Sequence, residues 1–420
     1  MYDVIVIGAG ISGATFAYKA SKFSNAMLIE ARSKNDLPVS TNIFAEHNKA
    51  FLTEFDYSDK SIFPVIHEKM NYMAAEEDGI VNSDEFGAPL GYVCHTEKLI
   101  DKLLNESENQ GGTIKFNEKI TRIEKHADHV EIINNKGESY STRLLVLATG
   151  SLGFELQRSV GFGTPDRYLG IYTHLRGNQD EINDQMVPNY IFHINPQIST
   201  NGPFYLEKGY ERIPIGFMGN SKETPKELVS KLERILNNYK RIQPIVKGLK
   251  RDPNPVVTYI SKHPIKFFSN DRMMVLGEAA GLVTAFFYEG LLCGMCSADL
   301  AVKTIKPLLE KDSIFTRNEL NSYDRELHRI LLKNYFVNGE GSEYLFYSAG
   351  AHVKTLWSTY VNLINRDKQL RREIWEAYRM YDLENYTLNG TRRAGRLLFS
   401  MLPALTKIAL SGKFIKAAFM

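Results

Sequence analysis

The sequence predicts an α/β fold: a parallel-sheet domain joined to an antiparallel-sheet domain, with a helical C-terminal part. Three observations predict it. A β-branched run, Asp3 to Ile7, leads directly into the turn Gly8-Ala9-Gly10-Ile11-Ser12-Gly13. Aromatic and aliphatic residues alternate with polar ones from about 155 to 265, the period of a half-buried antiparallel sheet. Beyond about 312 the pattern is helical.

The bulk properties narrow the class. The 420 residues are long enough to bury a large core in two or three units. A net charge of +2 gives no general case for nucleic-acid binding. Cys94, Cys293 and Cys296 are too few for a secreted disulfide scaffold or for the four thiolates of an iron–sulfur cluster. The chain enters a strand at once with no signal peptide, and no uncharged apolar run approaches the roughly 18–20 residues of a spanning helix. These readings place the protein in the cytoplasm.

The glycine turn lies within a βαβ unit. The strand at 3–7 is followed by the turn, a helix expected over Ala14 to Phe23, and a second strand, Ala26 to Ile29, ending at Glu30. Gly8 allows the tight bend, Gly10 lets backbone approach a pyrophosphate, and Gly13 lets helix and strand pack closely. Ile11, Ser12 and Gly13 open the helix, whose N–H groups and dipole suit phosphate. Glu30, 22 residues after Gly8, is placed to accept hydrogen bonds from a ribose diol. The unit therefore predicts a Rossmann-like dinucleotide-binding domain.

The remaining elements follow in order. Residues 33 to 91 carry Pro38, Pro64 and Pro89 and read as an excursion away from the parallel sheet. A helix is expected over Glu97 to Asn109, from Leu99, Ile100, Leu103 and Leu104. Asn134-Asn135-Lys136-Gly137 is a hairpin turn signal between two strand-like runs. Leu144 to Leu147 is a buried strand ending in Ala148-Thr149-Gly150. A helix at Pro225 to Tyr239 interrupts the aromatic sheet, and Rossmann-like texture returns at Met273 to Gly281.

Two of these segments choose the cofactor. Leu144 to Gly150 resembles the strand and turn with which glutathione-reductase-type flavoproteins close over FAD. Leu276-Gly277-Glu278-Ala279-Ala280-Gly281 resembles their later GD-A-A segment, whose acid holds a ribityl hydroxyl; here that acid is Glu278, one methylene longer. No second nucleotide fingerprint is present for NAD(P)H. The order of motifs along nearly the whole chain resembles the geranylgeranyl reductase family, close in fold to the aromatic hydroxylases. Glu289-Gly290 matches the family's GEG, and Gly209 in Glu207-Lys208-Gly209 matches its PKG turn. The chain departs from the pattern at Ser40-Thr41-Asn42, where the family has Cys-Gly, and at Thr96, Ala285 and Tyr288. Thr149-Gly150 replaces the hydroxylases' Asp-Gly.

The resemblance implies a Rossmann-like FAD-binding domain over 1–155, with a substrate-side excursion at about 41–91, and a returning segment at 265–311. It places an antiparallel-sheet substrate domain at 156–264 and a helical region at 312–420. FAD would be held by Gly8, Gly10, Ile11, Ser12, Gly13, Glu30, Thr149, Gly150, Gly277, Glu278 and Gly290. The implied activity is reduction of carbon–carbon double bonds in an isoprenoid lipid chain. Electrons would come from an external donor: NAD(P)H, ferredoxin or another carrier. The alternatives are a flavin monooxygenase or halogenase acting on a hydrophobic substrate, and a non-redox lipid cyclase or binding protein that retains FAD.

Other residues read as follows. Phe286 and Phe287 are candidates to wall the substrate cavity, and Tyr288 and Glu289 are candidate proton donors. Cys293 and Cys296 share a helix face among small apolar residues and read as core. His95, His174 and His193 form no metal pattern with an acid at helix spacing. From Asn385 to Met420 six basic residues and no acidic ones accompany an apolar series, which suits peripheral contact with a membrane surface.

Overall fold

The computed structural model describes residues 1–379, 383 and 386–418, with the backbone of residue 419. Asn385 and Met420, which bound the basic tail, lie outside the described residues.

The strand Tyr2–Ile7 sits at the centre of the first sheet, parallel to Ala26–Ile29 on one side and Ser139–Leu147 on the other. Thr113–Lys115 and Met273–Val275 extend it in parallel. Val4–Ile7 and Leu144–Leu147 are buried along their length, as continuous apolar runs in a covered parallel sheet must be. The helix spans Ile11–Ala20, three residues earlier than expected, because the last residues of the glycine turn are already helical. It packs against the helices Thr96–Asn109 and Leu291–Glu310. The hairpin forms as expected: the Asn134 amide donates to the Glu138 carbonyl at 2.9 Å, and Gly137 adopts φ +82°.

The second sheet has eight strands, including Asp166–Arg176, Tyr190–His193, Phe204–Glu207, Arg212–Met218 and Val256–Lys262. It differs from expectation in one respect. Lys69–Met73 and Asp78–Asn82, within the excursion, complete its edge, and the first runs parallel to Tyr190–His193. The sheet domain is therefore neither wholly antiparallel nor confined to 156–264. The pairing spans more than a hundred residues of chain, so no local turn signal marks it. A small third sheet joins Thr41–Ala45, Gly91–His95 and Val65–His67.

The C-terminal part is helical from Arg317, with a π-helical stretch at His328–Phe336. It docks on the second sheet through Trp357, fully buried, whose indole N–H donates to the Met73 carbonyl at 2.7 Å. The tail divides. Leu398, Leu402 and Leu410 are buried in this helical core, whereas Leu405, Ile408 and Ile415 are 81%, 74% and 61% exposed. Among the described residues, no helix is long and apolar enough to cross a membrane.

Candidate active site

Three sequence-remote segments meet at the C-terminal ends of the parallel strands. Gly8, at φ +108°, lies so close to the turn after Leu147 that a Cβ would stand 2.3 Å from the Ala148 carbonyl oxygen. A Cβ on Gly13 would stand 1.9 Å from the Gly8 carbonyl oxygen, which fixes how closely helix and turn pack. Ser12 carries the contact onward, its hydroxyl 2.0 Å from where a Gly277 Cβ would be and 2.6 Å from that of Gly294. Gly10 differs: nothing lies within 4 Å of a Cβ there. Gly10 also N-caps its helix without a side chain, leaving the first helical amides open to a ligand.

The acid of the unit is locked in place. Glu30 is buried; its Oε2 accepts the Ala9 N–H at 2.8 Å and its Oε1 accepts the backbone and Nε of Arg32, each at 2.9 Å. Burial works against its charge, but Arg32 and the two amides outweigh that and hold the carboxyl below its ordinary value. Thr149 presents a buried hydroxyl with no hydrogen-bond partner among the described residues, beside Gly150, which takes φ +60°. Glu278 lies across from them: its Oε2 is 3.6 Å from the Cβ position of Gly150 and its Oε1 accepts the Ser261 N–H at 2.9 Å. Burial pushes this carboxyl up to about 7. An open glycine, an orphaned hydroxyl and two fixed carboxyls at these strand ends fit a dinucleotide with a pyrophosphate and hydroxylated chains. The extra methylene of Glu278 carries its carboxyl to the second sheet, so it also ties the two domains together.

A cavity of about 250 Å³ lies beside Gly290, at the start of the helix that packs on the glycine-turn helix. Ser40–Asn42 and Glu289–Leu291 line one side, and the second sheet supplies Tyr172, His174, Tyr205 and Glu207. Thr41, where the resemblance expects cysteine, is buried and receives a hydrogen bond from Arg212 Nε at 2.8 Å. A second cavity, of about 360 Å³, lies among the C-terminal helices and reaches Leu398. Phe287 and Tyr378 line both cavities, their rings in T-shaped contact at 5.9 Å. Phe286 lines the second only and packs on Phe192, Phe346 and Tyr347.

The two candidate proton donors lie in the wall of the first cavity with their polar atoms engaged. Glu289 accepts the Leu292 N–H at 2.8 Å and the Tyr335 hydroxyl at 2.9 Å, fastening the start of the helix that Gly290 N-caps. Burial pushes it up to about 7. Tyr288, at φ +57°, donates to the Asn201 carbonyl and accepts from Lys262 Nζ at 3.2 Å. Cys293 and Cys296 are buried in the core.

Sequence reasoning passed over Glu207 and His174. Both are buried, both line the cavity, and Glu207 Oε1 and His174 Nε2, themselves buried atoms, have no hydrogen-bond partner among the described residues. Burial pushes Glu207 up to about 8, against the pull of Arg212, and lowers His174 to about 4, so both are neutral at pH 7. Strand alternation carried the signal: 205 and 207 share a face, as do 172 and 174.

No family model matches the chain. It is 23% identical over 318 residues to the digeranylgeranylglycerophospholipid reductase of Methanococcus vannielii, covering 72% of this chain and 77% of the relative. In fold it is similar to a geranylgeranyl bacteriochlorophyll reductase-like protein from Thermoplasma acidophilum: TM-score 0.72, 16% identity, 91% of this chain and 97% of that one. It is also similar to a halogenase solved in complex with FAD, with TM-score 0.64, 15% identity and 97% and 98% coverage. The fold is that of the Rossmann-type FAD-binding proteins, and in sequence the chain resembles the geranylgeranyl reductase family, as its motifs had implied.

Proposed function

We propose that this protein is an FAD-dependent oxidoreductase that reduces carbon–carbon double bonds in an isoprenoid lipid chain. The observation that carries the reading is the largely apolar, aromatic cavity at Gly290, which shares Phe287 and Tyr378 as wall with a second cavity among the C-terminal helices. Gly10, the amides of Ile11, Ser12 and Gly13, Glu30, Thr149, Gly150, Gly277, Glu278 and Gly290 would hold FAD. Bound there and reduced by an external donor, FAD would supply the hydride, and a side chain or a water molecule would supply the proton that completes the reduction. The residues of this chain bind the hydrocarbon, keep water from it and fix its position. A dry site matters because an isolated alkene is a poor hydride acceptor.

The second cavity reaches the helices that lead to the exposed Leu405, Ile408 and Ile415. With Lys407, Lys413 and Lys416 on the same helix, that stripe suits an anionic lipid surface, from which the chain would enter. A monooxygenase or halogenase is the second reading, favoured by the fold shared with a halogenase. Oxygen uptake separates the two. With NAD(P)H and a prenyl lipid, the reductase reading expects product hydrogenation without stoichiometric oxygen consumption. Oxygen consumed in step with hydroxylated or halogenated product favours the second reading.

A further inference from the structure

Phe287 and Tyr378 form the wall between the two cavities; among the described residues, no others line both. Their rings meet edge to face, 5.9 Å between centroids. The two sides of the wall are held differently. Phe287 is wedged by Phe286 at 4.7 Å and by Phe192 at 4.9 Å. Tyr378 lies in the last turn of the helix Lys368–Arg379, with the His67 ring 6.4 Å away. Helix ends open locally at lower cost than packed interiors. Tyr378 is therefore the side that can move.

The cavity volumes decide whether it must. Sites that enclose a ligand of about drug size span roughly 300–1,000 Å³. The cavity at Gly290, at about 250 Å³, falls below that range. Joined to the second, of about 360 Å³, it falls well inside. The second cavity suits hydrocarbon, with Phe286, Leu345, Phe346 and Leu398 in its lining. A chain of several isoprene units thus has room only when the wall is open.

We propose that Phe287 and Tyr378 determine the chain-length specificity of this site: Tyr378 swings from Phe287 so that one long prenyl chain lies through both cavities, and a chain too short to cross the wall binds weakly. The proposal rests on the isoprenoid reading above and narrows it to long chains. Gly395, on the helix Asn389–Met401, gives access to the far cavity alone. It lines that cavity, and nothing lies within 4 Å of a Cβ there.

Binding to the oxidised, FAD-loaded full chain tests the proposal without turnover. The probes are geranyl and geranylgeranyl monophosphate, which share a head group and differ by two isoprene units, titrated calorimetrically below their micelle-forming concentrations. The four-unit chain should bind about tenfold or more tighter, since burying even two further methylenes is worth that much. Gly395→Phe should erase this preference and leave two-unit binding unchanged. Its ring enters open space at a helical position where glycine is a poor former, so the fold should survive, as a melting curve checks. Stopped-flow mixing, followed by flavin absorbance, reads the wall itself. The rate of binding the four-unit chain should level off with concentration at the rate of opening, and Tyr378→Leu should raise that ceiling several-fold. Equal affinities in the wild type, a preference that survives in folded Gly395→Phe, or a rate that climbs linearly with concentration would overturn the proposal. Should either variant not fold, the wild-type affinities and rate profile decide. Binding of neither probe would instead sink the isoprenoid reading, and the proposal with it.

Discussion

Arg212 Nε donates to the Thr41 hydroxyl at 2.8 Å, tying the cavity loop at 40–42 to the second sheet. The same guanidinium reaches Glu97 at 3.0 Å, and both side chains are largely buried. Breaking a buried pair leaves its partner charge without compensation. Arg212→Ala should therefore destabilise the protein by about 3–5 kcal/mol, read from denaturant unfolding. Arg212→Lys retains charge for Glu97 but not the planar fork, and should be the milder change.

The glycines of the turn should separate cofactor loss from misfolding. Gly10→Val enters open space at a φ of −70°, so the fold should survive while FAD binding is lost. Gly8→Val meets both φ +108° and the Ala148 carbonyl, so it should lower the melting temperature or prevent folding. Flavin released on heating and the melting curve, measured on both variants, check the contrast.

Glu207 gives stability a pH dependence of known sign. Burial raises its folded-state value from 4.5 to about 8, with Arg212 pulling the other way and Tyr190, Tyr205 and Cys94 nearby. Its contribution is complete below about 4.5 and is lost as pH rises through about 8, because only the unfolded chain ionises freely in that window. Glu207→Gln should match the wild type near pH 5 and be the more stable at pH 8. Melts across this range decide; identical slopes for both proteins would show that Glu207 is not the group responsible.

Truncating the tail is a poor test of membrane contact, since it removes Leu398, Leu402 and Leu410 from the core. Leu405→Ser/Ile408→Ser/Ile415→Ser alters only exposed positions. It should leave the unfolding free energy within about 1 kcal/mol of the wild type and reduce flotation with anionic liposomes several-fold. Unchanged flotation would remove the membrane role.

The nucleotide-binding part was legible because its chemistry is local: Gly8, Gly13 and Glu30 lie within one βαβ unit, and each has a single mechanical task. The approach of Ser12 to Gly277 was legible only through resemblance, since nothing local connects residues so far apart. The edge strands at 69–82 were missed for two reasons: 69–73 pairs with 190–193 across more than a hundred residues, and the turn that joins it to 78–82, Ala74-Ala75-Glu76-Glu77, carries no glycine, proline or asparagine. Glu207 was passed over because the turn Glu207-Lys208-Gly209 drew notice to its glycine. The significance of the carboxyl depends on burial, which the register with Tyr190 creates. The tail read as one amphipathic run, whereas folding divides its apolar residues between core and surface.

The central claim is that prenyl double bonds are saturated at this site. The most direct measurement is an anaerobic single turnover: holoenzyme reduced with dithionite, mixed with a geranylgeranylated lipid, and followed by flavin absorbance alongside product mass. The account predicts reoxidation that depends on the lipid, with product gaining two hydrogens for each bond reduced. Flavin that stays reduced until oxygen is admitted, and then yields hydroxylated product, would contradict it.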